Sequence, residues 1–363
     1  VTNRPLQLID MVKIAVIGAG VNGLTCALRI KEKYPVFDVT SDFSPNTTGD
    51  NSGGLWNPYL LGNTPSHLIA KWSGETYKYL GELRRSGACH VCYMPVLEFS
   101  STERDVPRPE YLDVVIGYQR FNDEQLEEYN KTYSSNFISG QTFMTYVVLP
   151  PKLLAYLQQR FLKTNGKLVK AKLTSLQDPL LRDYDVIVNC SGLGARWLVP
   201  DERVMPIRGQ IIKVKAPWIK ESVMDHSAGL YIIPNQGICV LGGTHQQDFS
   251  MDVNQEDSEF IMNGCKNLIP RLERAQIVGH WAGLRPGRDS VRLEKEEKNG
   301  KLYIHNYGHG NVKFKMLFFQ MKFHGNNFEL HPLIQNAALQ GTAGKKLCSC
   351  YPQLIDFMDN TAL

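Results

Sequence analysis

A short β-branched run, Lys-Ile-Ala-Val-Ile at residues 13–17, leads directly into Gly18-Ala19-Gly20-Val21-Asn22-Gly23. The run has the character of a buried parallel strand, and the glycines have the G-x-G-x-x-G spacing that opens a dinucleotide-binding βαβ unit. A helical pattern follows, with Leu24, Ala27, Leu28 and Ile30 apolar at three- to four-residue spacing, and Pro35 stops it. A second strand is expected over 36–41, with Asp42 at its end, about where an acid meets a ribose 2′-hydroxyl. Asp38 is the alternative for that role. Each part has a task. Gly18 allows the tight turn, Gly20 lets backbone approach a pyrophosphate, and Gly23 lets helix and strand pack closely. The helix N-terminus, with Ala19, Val21 and Asn22 around it, offers unpaired N–H groups and partial positive charge to phosphates. The motif alone does not choose between NAD and FAD.

The rest of the chain narrows the field. At roughly 100–200 residues per domain, 363 residues suggest two or three domains. A hydrophobic share of 43% with 21% charged residues excludes a disordered chain, a collagen or a coiled coil. No run approaches the ~18–20 apolar residues of a membrane span. The net charge of +4, with no long Lys/Arg block, argues against a nucleic-acid partner. Cys89 and Cys92 form a C-x-x-C, but no second pair lies at zinc-site spacing, and Cys348 and Cys350 are too close for an easy bridge. The eight cysteines are therefore read as reduced thiols of an intracellular protein, with no signal peptide.

A second buried strand is expected over 185–190, Asp-Val-Ile-Val-Asn-Cys, running into Ser191-Gly192-Leu193-Gly194. A helix over 152–163, with Leu153, Leu154, Leu157, Phe161 and Leu162 on its apolar side, precedes it. A strand entering small residues this far downstream implies a split nucleotide domain: the chain leaves the first sheet, builds something else, and returns. Further text fixes a resemblance. It comprises Val-Ile-Gly-Ala-Gly-Val-Asn-Gly-Leu at 16–24, Thr47-Thr48 before Gly-Leu-Trp-Asn-Pro-Tyr at 54–59, and Val-Ile-Val-Asn-Cys-Ser-Gly at 186–192. It continues with Arg208-Gly209-Gln210, Ala-Pro-Trp at 216–218, Tyr-Ile-Ile-Pro at 231–234, and Leu-Gly-Gly-Thr at 241–244. Gly-Leu-Arg-Pro at 283–286, Val-Arg-Leu-Glu at 291–294 and His-Asn-Tyr-Gly-His-Gly at 305–310 complete the set. Over roughly residues 11–310 the chain resembles the D-amino-acid oxidase family, which includes D-aspartate oxidase.

The resemblance implies FAD as cofactor and oxidative deamination of a D-amino acid, with dioxygen as second substrate and hydrogen peroxide as product. Arg285 would grip the α-carboxylate through two parallel hydrogen bonds, and Tyr231 would donate its hydroxyl to the same group. No general base is required if the amine enters neutral, so no catalytic acid or base is assigned. On the cofactor side, Thr47 and Thr48 would reach the phosphates and Gly54-Leu55 would lie beside the flavin ring. Leu173 and Ser191 would contact the adenosine, and Arg292 would lie near the flavin. The short stretch between Asp225 and Tyr231 favours an open mouth able to take an acidic side chain. His245 stands where D-aspartate oxidases often carry Arg; it either meets a side-chain carboxylate or is a solvated loop residue. Acidic and neutral D-amino acids both remain open. His305 and His309 lie four apart, but the segment ends a strand and contains Gly308, so structural roles and no metal are expected. A homodimer and a peroxisomal location also follow from the family.

The resemblance stops after Gly310. Asn311 stands where the family has a glycine of the turn that contacts flavin and the substrate amine, and residues 311–363 show neither a clean period nor a match. An alternative or misassembled 3′ end is the hypothesis for this atypical segment, with a catalytically impaired variant as the alternative to an active oxidase. No peroxisomal C-terminal tripeptide is evident, since the sequence ends Thr361-Ala362-Leu363; Met11 is a candidate start, and residues 1–10 are either an upstream extension or a short native tail. The expected architecture is α/β. A Rossmann-type FAD-binding domain (11–60, 145–200 and 280–330) interleaves with a substrate domain built on a mixed or antiparallel sheet (61–144 and 201–279). The alternatives are another amine or glycine oxidase of the flavoprotein superfamily, an NAD-dependent dehydrogenase, or an inactive relative that binds nucleotide or a partner.

Overall fold

The computed structural model describes residues 13–32, 36–40, 43–58, 61–87, 91–104 and 110–310, with the backbone alone at 36–40 and at two short strands, Phe323–His324 and Asn327–Phe328. Asp42, Tyr59, Cys89, Asn311, Cys348 and Cys350 lie outside the described residues, as does the side chain of Asp38.

The chain opens with β1 (Ile14–Ile17), α1 (Val21–Lys31) and β2 (Val36–Thr40). It continues through α2 (Ser66–Arg85), β3 (Val91–Ser100), β4 (Ile116–Arg120), α3 (Asp123–Tyr133) and β5 (Ser139–Val148). Then come α4 (Pro150–Lys163), β6 (Lys167–Lys170), β7 (Val186–Asn189) and α5 (Ala195–Leu198). Strands β8 (Met205–Lys215), β9 (Ser222–Asp225), β10 (Leu230–Asn235) and β11 (Ile238–Gly242) follow. Helix α6 (Gln255–Leu268) and strands β12 (Gln276–Gly287), β13 (Arg292–Lys298) and β14 (Lys301–Tyr307) end the described chain.

Two sheets result. The smaller has six strands in the order β13-β14-β7-β1-β2-β6. All its pairings are parallel except the β13–β14 hairpin at one edge. Every residue of β1 and of β7 is buried, as expected of parallel strands covered on both faces. Helix α4 lies against α1, with Leu153, Leu154, Leu157 and Phe161 fully buried. It starts two residues before the expected 152, because Pro150 and Pro151 occupy a first turn that needs no N–H partner.

The larger sheet has eight strands in the order β12-β8-β11-β10-β9-β3-β5-β4. Its pairings are antiparallel except β3 with β9, which makes it mixed. Period-2 alternation gives its strands two different faces. On one face Ile212, Val214, Ile232 and Leu241 pack with Ile261, Cys265 and Leu268 of α6. On the other, Ile211, Ile233 and Val240 join the core that contains Ile14, Val16 and Leu24 of the smaller sheet. One boundary differs from expectation. Residues 280–287 stay in the larger sheet, because β12 pairs with β8 as far as Gly287, and the chain re-enters the smaller sheet only at Arg292. Among the described residues no helix is long and apolar enough to cross a membrane.

Candidate active site

At the C-terminal ends of β1 and β7 lies an open cleft of about 780 Å³. Its floor is the glycine turn. Gly18 has φ +105°, and a Cβ there would lie 2.6 Å from the Cys190 carbonyl oxygen. At Gly23 a Cβ would lie 1.5 Å from the Gly18 carbonyl oxygen, so this glycine seats the helix on the turn itself. Gly20 has nothing within 4 Å of its would-be Cβ: the chain faces open space there, and Gly20, Val21 and Asn22 line the cavity. No side chain caps α1 and its first turn carries no acid, so its N-terminal N–H groups remain available to an anion. Ala19, Thr47, Thr48, Leu173 and Ser191 also line the cavity. The loop carrying the threonines is stapled by the buried Asp50. Its carboxylate accepts from the Thr47 N–H at 2.8 Å and the Thr47 hydroxyl at 2.6 Å, and also from the Ser44 hydroxyl.

The second part of the site begins next door, since Pro286 lines the cavity and Arg285 precedes it on β12. Arg285 is 8% exposed and donates from Nη1 to the Thr244 carbonyl at 3.0 Å. Its guanidinium lies over Gly209, where a Cβ would come within 2.1 Å of both terminal nitrogens. Tyr231 lies over Gly242 and Gly243 in the same way, with would-be Cβ atoms 2.2–2.9 Å from its ring and hydroxyl. Burial pushes the Tyr231 hydroxyl above its ordinary pKa, and the hydrogen-bonding Arg285 guanidinium opposes that shift without reversing it. The phenol therefore keeps its proton and can donate it. The contrast with other buried arginines is informative. Arg208 meets Asp257 at 2.7 Å and Arg288 meets Asp201 at 3.0 Å. Among the described residues, no carboxylate pairs with Arg285. A buried cation beside a phenolic donor has the chemistry to take an external carboxylate.

Comparison with known proteins settles the family. The family model described as FAD dependent oxidoreductase (DAO) matches residues 13–319. The chain belongs to this family. It is 36% identical over 322 residues to a D-amino acid oxidase of Dugesia ryukyuensis, covering 84% of this chain and 94% of that protein. It is 34% identical over 315 residues to the D-aspartate oxidase of Homo sapiens, covering 83% and 90%. The crystal structure of glycine oxidase from Geobacillus kaustophilus superposes with a TM-score of 0.70 at 17% identity, covering 88% of this chain and 98% of that one, which shows a shared fold.

The cavity of this FAD-dependent oxidoreductase fits its cofactor. Asn22 Oδ1, Ser191 Oγ and Asn306 Oδ1 are buried at its wall without a protein partner, as polar groups awaiting a polar ligand would be. Asn22 also donates through Nδ2 to His309 Nδ1 at 3.1 Å. Burial pushes His309 down to about 4, so its ring is neutral at physiological pH. Asn22, Ser191 and the N-terminus of α1 would hold the dinucleotide, and the bound FAD supplies hydride acceptance.

Other expected residues lie elsewhere. Gly54 and Leu55 do not line the cavity; Gly54, with φ +76°, sits against the Val148 carbonyl, and Leu55 pairs with Val147. The segment thus runs along β5 between the two sheets. His245 is exposed, one residue beyond the Thr244 carbonyl that holds Arg285. Arg292 reaches the cavity only through Tyr307, to whose hydroxyl it donates at 2.6 Å, and its other nitrogens meet Glu294 at 2.6 Å and Glu296 at 3.4 Å. His305 is buried between Asn189 at 3.3 Å and Glu296 at 3.2 Å, away from His309. Sequence reasoning did not assign Gly209, Gly242, Gly243, Thr244, Asn306 or His309 to the site. Small residues flanking Arg285 and Tyr231 across the ladder would have been the signal for the first three.

Proposed function

We propose that this chain oxidatively deaminates D-amino acids to 2-oxo acids and ammonia, with dioxygen as electron acceptor and hydrogen peroxide as product. The buried Arg285–Tyr231 pair without a protein carboxylate carries the reading. Arg285 takes the substrate α-carboxylate in charge-assisted hydrogen bonds, and Tyr231 donates a further one. With its carboxylate fixed, the substrate has few remaining orientations, and this anchoring turns a collision into a positioned encounter. FAD, held by Asn22, Ser191 and the N-terminus of α1, would supply acceptance of the Cα hydrogen as hydride, while Arg285 and Tyr231 fix the carbon that gives it up. Water then converts the imino acid to the 2-oxo acid, and no protein base is needed when the amine enters neutral. The names and extents of the relatives support the D-amino-acid class. His245, exposed and next to the Thr244 carbonyl that holds Arg285, would give an acidic side chain a partner when protonated, so D-aspartate belongs with neutral D-amino acids among the substrates. By the same family reading the enzyme works in the peroxisome as a homodimer. Peroxide production by the purified chain with D-aspartate, D-alanine and their L-enantiomers tests the proposal. Signal with a D-amino acid and none with its mirror image is expected; signal with the L-forms alone would refute it.

A further inference from the structure

Two thiols meet beneath the nucleotide turn. Cys26 is on α1, one helical turn beyond Gly23 and 6% exposed; Cys190 follows β7, is 9% exposed, and lines the cavity. The two elements touch here: the would-be Cβ of Gly23 lies 3.6 Å from Cys190 Cβ, and the Gly18 turn rests on the Cys190 carbonyl. The thiols hydrogen-bond to each other, and Asn306 donates to Cys26 Sγ at 3.5 Å. We propose that Cys26 and Cys190 form an oxidisable dithiol that hydrogen peroxide closes to a disulfide joining α1 to β7, and that bound nucleotide shields.

Other buried thiols set this pair apart. Cys239 and Cys265 are fully buried in the core beneath α6, and burial pushes both thiols well up, Cys239 to about 12. Cys26 is shifted the other way: hydrogen bonding from Cys190, and then from Asn306, outweighs burial and holds its thiol below the ordinary value. Thiolate character governs attack on peroxide, and the cavity supplies a route for so small an oxidant. One sulfur displaces hydroxide from hydrogen peroxide; an S–O bond forms, the O–O bond breaks, and the hydroxide leaves as water with the thiol's proton. The second thiol attacks that sulfenic sulfur; the S–S bond forms, the S–O bond breaks, and the second water carries away the remaining proton. Two thiols lose two electrons, and one peroxide becomes two waters.

The test treats the full chain with hydrogen peroxide, with and without saturating FAD, then blocks free thiols and maps peptides by mass spectrometry without reduction. A Cys26–Cys190 linked peptide is expected in the FAD-free sample, forming several-fold more slowly with FAD, while Cys239 and Cys265 stay alkylatable. Cys92, exposed on the surface, reports that oxidant was effective. Cys26→Ala should abolish the link and leave Cys190 alkylatable, because the more thiolate-like sulfur is gone. Both thiols alkylated in full after Cys92 has oxidised would overturn the proposal. So would a link that appears only together with oxidation of Cys239 and Cys265, which would report unfolding. Equal rates with and without FAD would overturn the shielding.

Discussion

Arg285 is buried with its guanidinium over Gly209, held by the Thr244 carbonyl and beside Tyr231. Its role and the glycine's can be separated by substitution. Arg285→Gln removes the charge-assisted pair and should cost about 3 kcal/mol of transition-state stabilisation, roughly a hundredfold in kcat/KM, with FAD binding retained. Gly209→Ala should produce a similar loss without touching any polar group, because the methyl would occupy guanidinium space 2.1 Å from both nitrogens. Steady-state kinetics on the flavin-loaded variants checks both. A Gly209→Ala enzyme with wild-type kcat/KM would mean that Arg285 does not hold the position described. Tyr231→Phe removes one donor and should raise KM about tenfold.

Elements hold these residues in place through a few buried polar junctions. Asp201 is one: it accepts from Arg288 at 3.0 Å and from the Tyr307 hydroxyl at 2.9 Å, joining the loop after α5 to β12 and β14. Burial alone would raise its pKa, but the Tyr307 hydrogen bond and the Arg288 charge hold the carboxyl below its ordinary value. Asp201→Ala would take from the buried Arg288 its nearest carboxylate, leaving Asp289 at 3.4 Å, and should cost about 1–3 kcal/mol, read as a lower midpoint in urea unfolding. Much of this level was legible in the sequence. The strand at 13–17, the glycine turn and α1 follow from β-branched and 3.6-residue patterns, and Leu153, Leu157 and Phe161 marked the buried side of α4. What was not legible depends on pairing across the chain. Sequence does not say that Gly283 faces Gly209 or that Tyr231 faces Gly242, so the space for Arg285 and Tyr231 could not be read. Arg292 matched a family position, yet its nearest anions, Glu294 and Glu296, come from its own strand.

For the molecule as a whole, buried histidines tie stability to pH. Burial lowers His309 from 6.5 to about 4, so the unfolded chain binds a proton there at pH values where the folded chain does not. The contribution is complete above the ordinary histidine pKa and is lost as pH falls from 6.5 towards 4, up to about 3 kcal/mol. His305 acts in the same direction, through burial and then the Arg292 charge. His226 opposes them: burial would lower it, but the buried Glu98 carboxylate outweighs burial and raises it. Melting temperature should therefore fall between pH 7.5 and 5 at saturating FAD, and His309→Asn should flatten that slope; an unchanged slope would remove His309 from the account. On the proposed reading, one cavity holds FAD and the adjoining Arg285–Tyr231 pair presents a D-amino acid to it. The most direct test of that reading is the visible spectrum of the purified wild-type and Arg285→Gln chains during anaerobic titration with D-alanine and D-aspartate. Flavin bands in both proteins, bleached by a D-amino acid in the wild type and not at the same concentration in the variant, are predicted. Folded protein without flavin bands, or a variant that bleaches as readily as the wild type, would contradict it.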